Sequence, residues 1–135
     1  ITAETGQGAF AFLIQDRLLL VAHGTVIAGI DMAMITSDSM WLDQGVLNVR
    51  LPAAEVFIAS LDNEKTYVYD RDTGLLKNPD PNLETIARQA AEEEILKAAL
   101  EDGILDQATN NAKMYLQWFF DTLGYHQINF IPASP

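Results

Sequence analysis

Cysteine is absent from this 135-residue chain, and basic residues are scarce, with eight lysines and arginines against nineteen aspartates and glutamates. The absence of cysteine excludes disulfides and thiol chemistry. The net charge of −11 repels phosphate backbones and anionic lipid headgroups, so nucleic acid is not expected to be a partner. A long hydrophobic run is missing as well, because the uncharged segment between Arg17 and Asp31 falls short of the roughly 18–20 residues that span a bilayer.

Apolar residues, by contrast, are abundant. The hydrophobic fraction is 49%, which is high for a free monomer and favours a covered surface patch. The length suits one domain with a proper core, so we predict that residues 1–135 form a single domain, with residues 1–8 disordered. Because the chain begins with Ile1 rather than methionine, we expect it to be a fragment of a longer protein.

The first two-thirds of the chain predicts short strands separated by turns. Residues 47–51 alternate between apolar and polar, which indicates a strand with one face in water that Pro52 ends. Residues 55–61 are apolar on both sides, so we place this strand in the centre of the sheet with both faces covered. The other predicted strands are residues 9–14 and 18–22, which form a hairpin, then 25–30, 66–69 and a final strand over 126–130.

The segment from Asp80 to Leu123 has the only sustained helical periodicity. Its apolar stripe, at steps of three, four or seven, is Ala87, Ala91, Ile95, Ala98, Leu105, Ala108, Ala112, Tyr115, Phe119 and Leu123. One helix of that length would measure about 65 Å at about 1.5 Å per residue, whereas a compact domain of this size is roughly 35–40 Å across. We therefore predict a break or kink at Gly103, with Asp106 capping the second helix.

Together these patterns predict an α+β fold. An antiparallel or mixed sheet is followed by two C-terminal helical segments that pack on it, and a final short strand returns to the sheet. Because the aromatic end of the helical segment is apolar around most of its circumference, we expect it to be sheltered on most sides.

The acidic turn at residues 70–74 contains the candidate metal ligands Asp70 and Asp72. An Asp-x-Asp-x-Gly sequence opens many calcium loops, but an EF-hand also needs an oxygen ligand at the fifth position and a glutamate at the twelfth. Those positions are Gly74 and Pro81 here, so a β-turn is favoured and no metal site is predicted.

No set of catalytic residues can be recognised in the sequence. His23 and His126 are the only histidines, both are placed on apolar strand faces, and neither has zinc-ligand spacing. A G-x-S-x-G nucleophile elbow is also missing. We therefore predict a protein that is not an enzyme and that uses no cofactor.

The most informative functional residues are aromatic. Trp41, Trp118 and Phe120 are candidates for an interface, because interfaces favour aromatic side chains. Leaving such a side chain in water forgoes about 2–3 kcal/mol. The alternative is that all of them lie in the core of one domain.

Several short motifs are shared with a known family. They are Gly24-Thr25-Val26 with Ala28-Gly29-Ile30-Asp31, Leu51-Pro52, Tyr69-Asp70-Arg71-Asp72-Thr73-Gly74, Gly103-Ile104-Leu105 with Ala108 and Ala112, and Leu123-Gly124-Tyr125. In the order and spacing of these motifs the chain, from Leu20 onward, resembles a bacterial family named domain of unknown function 4230. Its members usually carry one N-terminal transmembrane anchor and have no established activity. The resemblance implies membrane attachment through a segment that precedes this chain. It does not indicate which side of the membrane the domain faces.

Two functional hypotheses follow. The first is a non-enzymatic interaction or assembly module that self-associates or binds another protein and meets a membrane only through the missing anchor. The alternative is a small-ligand or cation-binding domain that uses the acidic turn and a cleft beside the helix.

Overall fold

The computed structural model describes residues 4–13, 18–70, 74–76 and 81–133. Its elements are β1 (Glu4–Leu13), β2 (Leu18–Gly29), β3 (Met40–Asp43), β4 (Val46–Leu51), β5 (Glu55–Leu61), β6 (Tyr67–Asp70), β7 (Gly74–Leu76), α1 (Pro81–Glu101), α2 (Ile104–Thr122) and β8 (Ile128–Pro132). The predicted α+β fold, with two helices after the strands and a final strand, is confirmed. The described strands form two sheets, however, where the sequence predicted one.

The chain divides into two compact units. Unit 1 holds Glu4, Ala28–Phe57 and the residues from Gly103 on, and unit 2 runs from Thr5 to Ile27 and from Ile58 to Asp102. The single-domain organisation stays a prediction. β1 begins at Glu4, so residues 4–8, for which the sequence predicted disorder, are part of a strand, and residues 1–3 lie outside the described residues.

The larger sheet is built around β2. Its strand order is β1-β2-β6-β7, and β5 also pairs with β2. β2 runs without interruption through Gly24, although the sequence predicted two strands there. A Cβ atom at Gly24 would lie 2.7 Å from Ile95 Cδ1 and 3.0 Å from the Ser60 carbonyl oxygen, so only glycine lets α1 approach β2 this closely.

The prediction that β5 is central, with both faces covered, is wrong. Among the described residues β5 pairs with β2 alone. Phe57 and Ile58 on this strand are 43% and 51% exposed. An apolar sequence on both faces of a strand therefore did not indicate burial here.

The smaller sheet belongs to unit 1 and has the order β3-β4-β8. β3 is antiparallel to β4, and β8 is parallel to β4 with Leu47 opposite Ile128. The alternation predicted for residues 47–51 is confirmed. Its buried side belongs to a core cluster that comprises Ile30, Leu47, Val49, Leu51, Ala112 and Leu116.

The predicted break at Gly103 is confirmed. Gly103 has a φ of 84°, in the left-handed region, and its backbone forms the N-cap of α2. Its carbonyl oxygen accepts a hydrogen bond from the Gln107 backbone N–H at 3.0 Å. Asp106, predicted to be the cap, lies instead in the first turn of α2.

No helix in the described ranges is long and apolar enough to cross a membrane.

Candidate functional site

Large apolar side chains of α2 and its C-terminal extension are exposed to solvent. The exposed fractions are 71% for Met114, 64% for Trp118, 58% for Leu123, 41% for Phe119 and 37% for Tyr115. We call these five residues the aromatic face. The expectation that this end of the helix is sheltered on most sides is wrong for the single chain, which leaves these side chains open to solvent.

The direction of the buried row explains this exposure. The buried residues of α2 are Ile104, Ala108, Ala112 and Leu116, each four positions after the last. At about 100° per residue, every such step moves the row about 40° around the helix. The predicted stripe kept one direction and would have buried Tyr115 and Phe119. By the end of α2 the buried row has turned away from both.

Phe120 continues the buried row by one more step of four. It is half-buried and packs against the core cluster of unit 1. Of the three predicted interface residues, Phe120 is therefore the one that supports the core.

The aromatic rings form a continuous chain of contacts. Tyr115 stacks on Phe119 with ring centroids 6.5 Å apart and an angle of 9° between the planes, and Trp118 lies 6.3 Å from Tyr115. Phe119 meets Phe120 edge to face at 5.4 Å, and Phe120 meets Tyr125 at 6.4 Å. Aromatic pairs of this kind contribute about 0.5–1.5 kcal/mol each. The exposed rings are thus held in place through Phe120 before any partner binds.

The end of α2 fixes the far edge of this surface. The Tyr125 backbone N–H donates to the Phe120 carbonyl at 2.9 Å, and the Gly124 N–H donates to the Asp121 carbonyl at 3.0 Å. Gly124 has a φ of 99°. This is a Schellman motif, and the contact between Tyr125 and Phe120 is its usual hydrophobic partner pair. It stops the helix beside Leu123 and turns the chain towards β8.

Charge is sparse along the second half of α2. Lys113 and Asp121 are the charged residues there, and residues 114–120 between them carry no charge. Lys113 forms no ion pair or hydrogen bond with any part of the chain that the structure describes. The Asp121 carboxylate lies 2.5 Å from His126 Nδ1, and both side chains are largely exposed.

An open groove runs along α2 beside Trp118. Its volume is about 540 Å³, and its lining is Lys113, Met114, Gln117, Trp118, Asp121 and Phe130. A smaller cavity of about 220 Å³ lies between α2 and β8. The groove places a lysine at one end, an aspartate at the other and mostly apolar side chains between them, which suits docking and offers no convergent set of catalytic groups.

Trp41 lies on the other side of the smaller sheet. It pairs with Asn48 in the β3–β4 register, on the face opposite Leu47 and Val49, which pack with α2. Trp41 is 38% exposed, and the guanidinium of Arg50 lies 5.5 Å from its ring centroid, a cation–π contact. The structure does not bring Trp41 and Trp118 together.

Of the two candidate metal ligands, the structure describes Asp70. Asp70 is a buried residue of β6, 3% exposed, and pairs with Gly74 across the β6–β7 hairpin, while Asp72 lies outside the described residues. Across residues 4–13, 18–70, 74–76 and 81–133, no group of three or more histidines or acids is placed to hold a metal ion. His23 is half-buried in β2, and its backbone N–H donates to Thr66 Oγ1 at 3.1 Å. His126 is exposed and precedes β8, so its placement on a strand face is wrong.

Sequence reasoning missed Met114 as a surface residue and assigned Tyr115 and Phe119 to the buried stripe. The row Ile104–Ala108–Ala112–Leu116 was the signal for the correct face. Two alanines flanked by large aliphatic residues at steps of four are typical of a helix that packs closely on a sheet.

The family comparison covers almost the whole chain. The model of the family described as "Protein of unknown function (DUF4230)" matches residues 1–130. No curated protein and no solved structure matches the chain.

Proposed function

The chain belongs to the DUF4230 family of proteins of unknown function, and because membership assigns no activity, we propose that it is a non-enzymatic assembly module that self-associates through the aromatic face of α2. The observation that carries the proposal is the exposure of Trp118, 64%, at the centre of a continuous set of apolar side chains. The hydrophobic effect favours removing such a surface from water.

The area of the aromatic face suits a stable dimer. Aromatic side chains have about 150–250 Å² of surface each, so the exposed parts of the five residues amount to roughly 500–600 Å². That is at the upper end of the largest patch on a typical monomer, about 300–600 Å². A standard interface takes about 800 Å² from each partner. The aromatic face would supply most of one side.

Electrostatics favours a second copy over a charged partner. The chain has a net charge of −11, so two copies repel each other except where their contact surfaces are neutral. The uncharged run over residues 114–120 is such a surface. A basic protein would be attracted to carboxylates instead, and an anionic membrane would repel the chain.

We test self-association with Trp118→Glu. Light scattering after gel filtration should give the wild type a mass of about twice 14.9 kDa and the variant the mass of one chain. Because Trp118 makes its contacts at the surface, the variant should keep the far-ultraviolet circular dichroism spectrum and melting temperature of a folded protein. Gln89→Glu is the matched control, since it adds the same charge at an exposed polar position of α1 and should leave the dimer intact.

Three results would overturn this function. A wild type that elutes as a monomer throughout its soluble range has no self-association. A Trp118→Glu variant that stays dimeric places the contact elsewhere. A monomeric wild type that sediments with neutral lipid vesicles assigns the aromatic face to a membrane surface.

We also propose that the module is held at a membrane by a segment N-terminal to this chain, the arrangement that the family resemblance implies. Fractionation of the full-length gene product should place it in the membrane pellet and release it with detergent and not with salt. Recovery in the soluble fraction would refute the attachment.

A further inference from the structure

The groove beside Trp118 carries opposite charges at its two ends. Lys113 and Asp121 both line it, with Gln117 midway between them, four residues from each. Residues at steps of four lie along one ridge of a helix, so the three side chains share one side of α2. A surface that is positive at one end, uncharged in the middle and negative at the other end is complementary to its own reversed copy.

We propose that α2 packs antiparallel against α2 of a second copy about a two-fold axis near Gln117, and that Lys113 pairs with Asp121 of the partner subunit at both ends of the contact. This inference rests on the proposed self-association and adds its geometry. In a two-fold contact every interaction occurs twice, so one lysine and one aspartate per chain form two ion pairs.

The spacing fits this arrangement. With a rise of about 1.5 Å per residue, Lys113 and Asp121 each lie about 6 Å from the axis along the helix. Antiparallel α2 helices therefore bring Lys113 level with the partner's Asp121. Helices in contact lie about 8–10 Å apart, a distance that a lysine side chain crosses. A parallel pair in the same register would set lysine against lysine and aspartate against aspartate, which is repulsive.

The state of the two charged groups in the single chain favours the pairing. Lys113 forms no ion pair or hydrogen bond with the described residues, although it lies at the edge of an apolar groove. The Asp121 carboxylate is held at the other end by His126 at 2.5 Å, so it is already oriented for a second interaction. A lysine without an acceptor and an oriented aspartate are what the paired interface needs at these positions.

Trp118 occupies the position next to the axis. Its side chain is 64% exposed and lines the groove, whose volume is about 540 Å³. Across the two-fold axis each Trp118 ring enters the groove of the other copy. Tryptophan at the centre of an interface is a frequent energetic hot spot, and the charge pairs then lie towards the rim and select the orientation.

Charge reversal tests the pairing. Sedimentation equilibrium should show dimer association weakened by about tenfold or more when either Lys113→Asp or Asp121→Lys puts like charges together twice. The double variant restores both pairs with reversed polarity and should return to within about threefold of the wild type. Lys97→Asp is the control, because Lys97 is an exposed lysine of α1. The same charge change there should leave the dimer dissociation constant within about twofold of the wild-type value.

Cross-linking tests the orientation of the two helices. Because the chain has no native cysteine, an introduced cysteine can form a disulfide only with its copy in the partner subunit. Near the axis, Gln117→Cys should form a disulfide-linked dimer on mild oxidation, because a disulfide needs Cβ atoms about 3.5–4.5 Å apart. Lys113→Cys should not cross-link to itself in an antiparallel pair. Cross-linking of Lys113→Cys, or a double charge variant no better than the singles, would overturn the antiparallel contact.

The two proposals fail in different ways. If the wild type is dimeric and Trp118→Glu is monomeric, but charge reversal changes nothing and Gln117→Cys does not cross-link, the antiparallel pair is refuted and the assembly function stands. If the wild type never self-associates, both fall together.

Discussion

The two helices bury the same kind of surface and differ in what they show to water. α1 buries Ala87, Ala91 and Ile95, and α2 buries Ile104, Ala108, Ala112 and Leu116. Both rows are rich in alanine and advance by four. The exposed side of α1 carries Glu92, Glu93, Glu94, Lys97 and Glu101, whereas the exposed side of α2 carries the aromatic face.

This difference separates what folding requires from what it leaves free. A narrow buried row with small residues is enough to pack each helix against its neighbours. On its exposed side, α1 carries charged side chains that water solvates. Exposed apolar residues of α1, Ile86 and Leu100, stand fourteen positions apart. α2 could have been solvated in the same way and instead concentrates aromatic rings on its outer side. The aromatic face is therefore an addition to the fold, and we expect its removal to change association far more than stability.

The largest expected effect comes from the buried row. Leu116→Ala should lower the free energy of unfolding by about 2–5 kcal/mol, because Leu116 is 4% exposed in the core of unit 1 and its loss leaves a cavity. Trp118→Ala, two positions away, should cost about 1 kcal/mol or less in the monomer. Urea unfolding of both variants, at a protein concentration below the dimer dissociation constant, compares the two losses. Equal losses would mean that the outer side of α2 holds the fold after all.

A smaller loss is expected where α1 meets β2. Gly24→Ala should destabilise the protein by about 1–3 kcal/mol, because the added methyl group overlaps Ile95 Cδ1, 2.7 Å away, and approaches the Ser60 carbonyl. Shortening the neighbour with Ile95→Val should recover part of this loss in the double variant. Thermal unfolding of the four members of the cycle gives the coupling. A coupling energy of zero would show that the packing of α1 on β2 does not depend on the glycine.

The break between the helices should be less costly to alter. Gly103→Ala places a side chain at a φ of 84° and should cost about 1–2 kcal/mol. Gly103→Asn should cost less, because asparagine tolerates the left-handed region. Chemical denaturation of both variants checks the order. If Gly103→Ala left the free energy of unfolding unchanged, the break between α1 and α2 would not depend on the left-handed backbone at this position.

Salt should have the smallest effect. Raising the ionic strength shortens the Debye length from about 10 Å at 0.1 M to about 3 Å at 1 M. Because each copy carries a charge of −11, screening should reduce repulsion and tighten the dimer by a few-fold, while the melting temperature of Trp118→Glu changes little. Sedimentation equilibrium in the two buffers is the measurement. A dimer weakened by salt would point to a contact made mainly by charge.

Local patterns predicted the parts of the fold that depend on nearby residues. The alternation at residues 47–51 gave the strand and its wet face, since only one side of β4 is buried. The conflict between helix length and domain size, together with a glycine, located the break at Gly103. Both signals act over a few residues, so neither needed knowledge of a partner strand.

The partners of the strands and the direction of the buried row were not predictable in the same way. The parallel pairing of β8 with β4 joins segments far apart in the chain, and it splits the strands into two sheets. The row on α2 depends on how the helix lies on that second sheet. Trp118 could be chosen for its size alone, but the opposite placement of Trp41 required the register of β3.

The parallel partnership of β4 and β8 sets an order of events during synthesis. Asn48 and Asn129, whose side chains share a 3.0 Å hydrogen bond, are 81 positions apart. At about 5–20 residues per second, the ribosome needs roughly 4–16 s to make the segment between them. During that time β4 has an open edge, and its apolar residues have neither α2 nor β8 beside them. Unit 1, which displays the aromatic face, therefore matures last, after the final strand has been made.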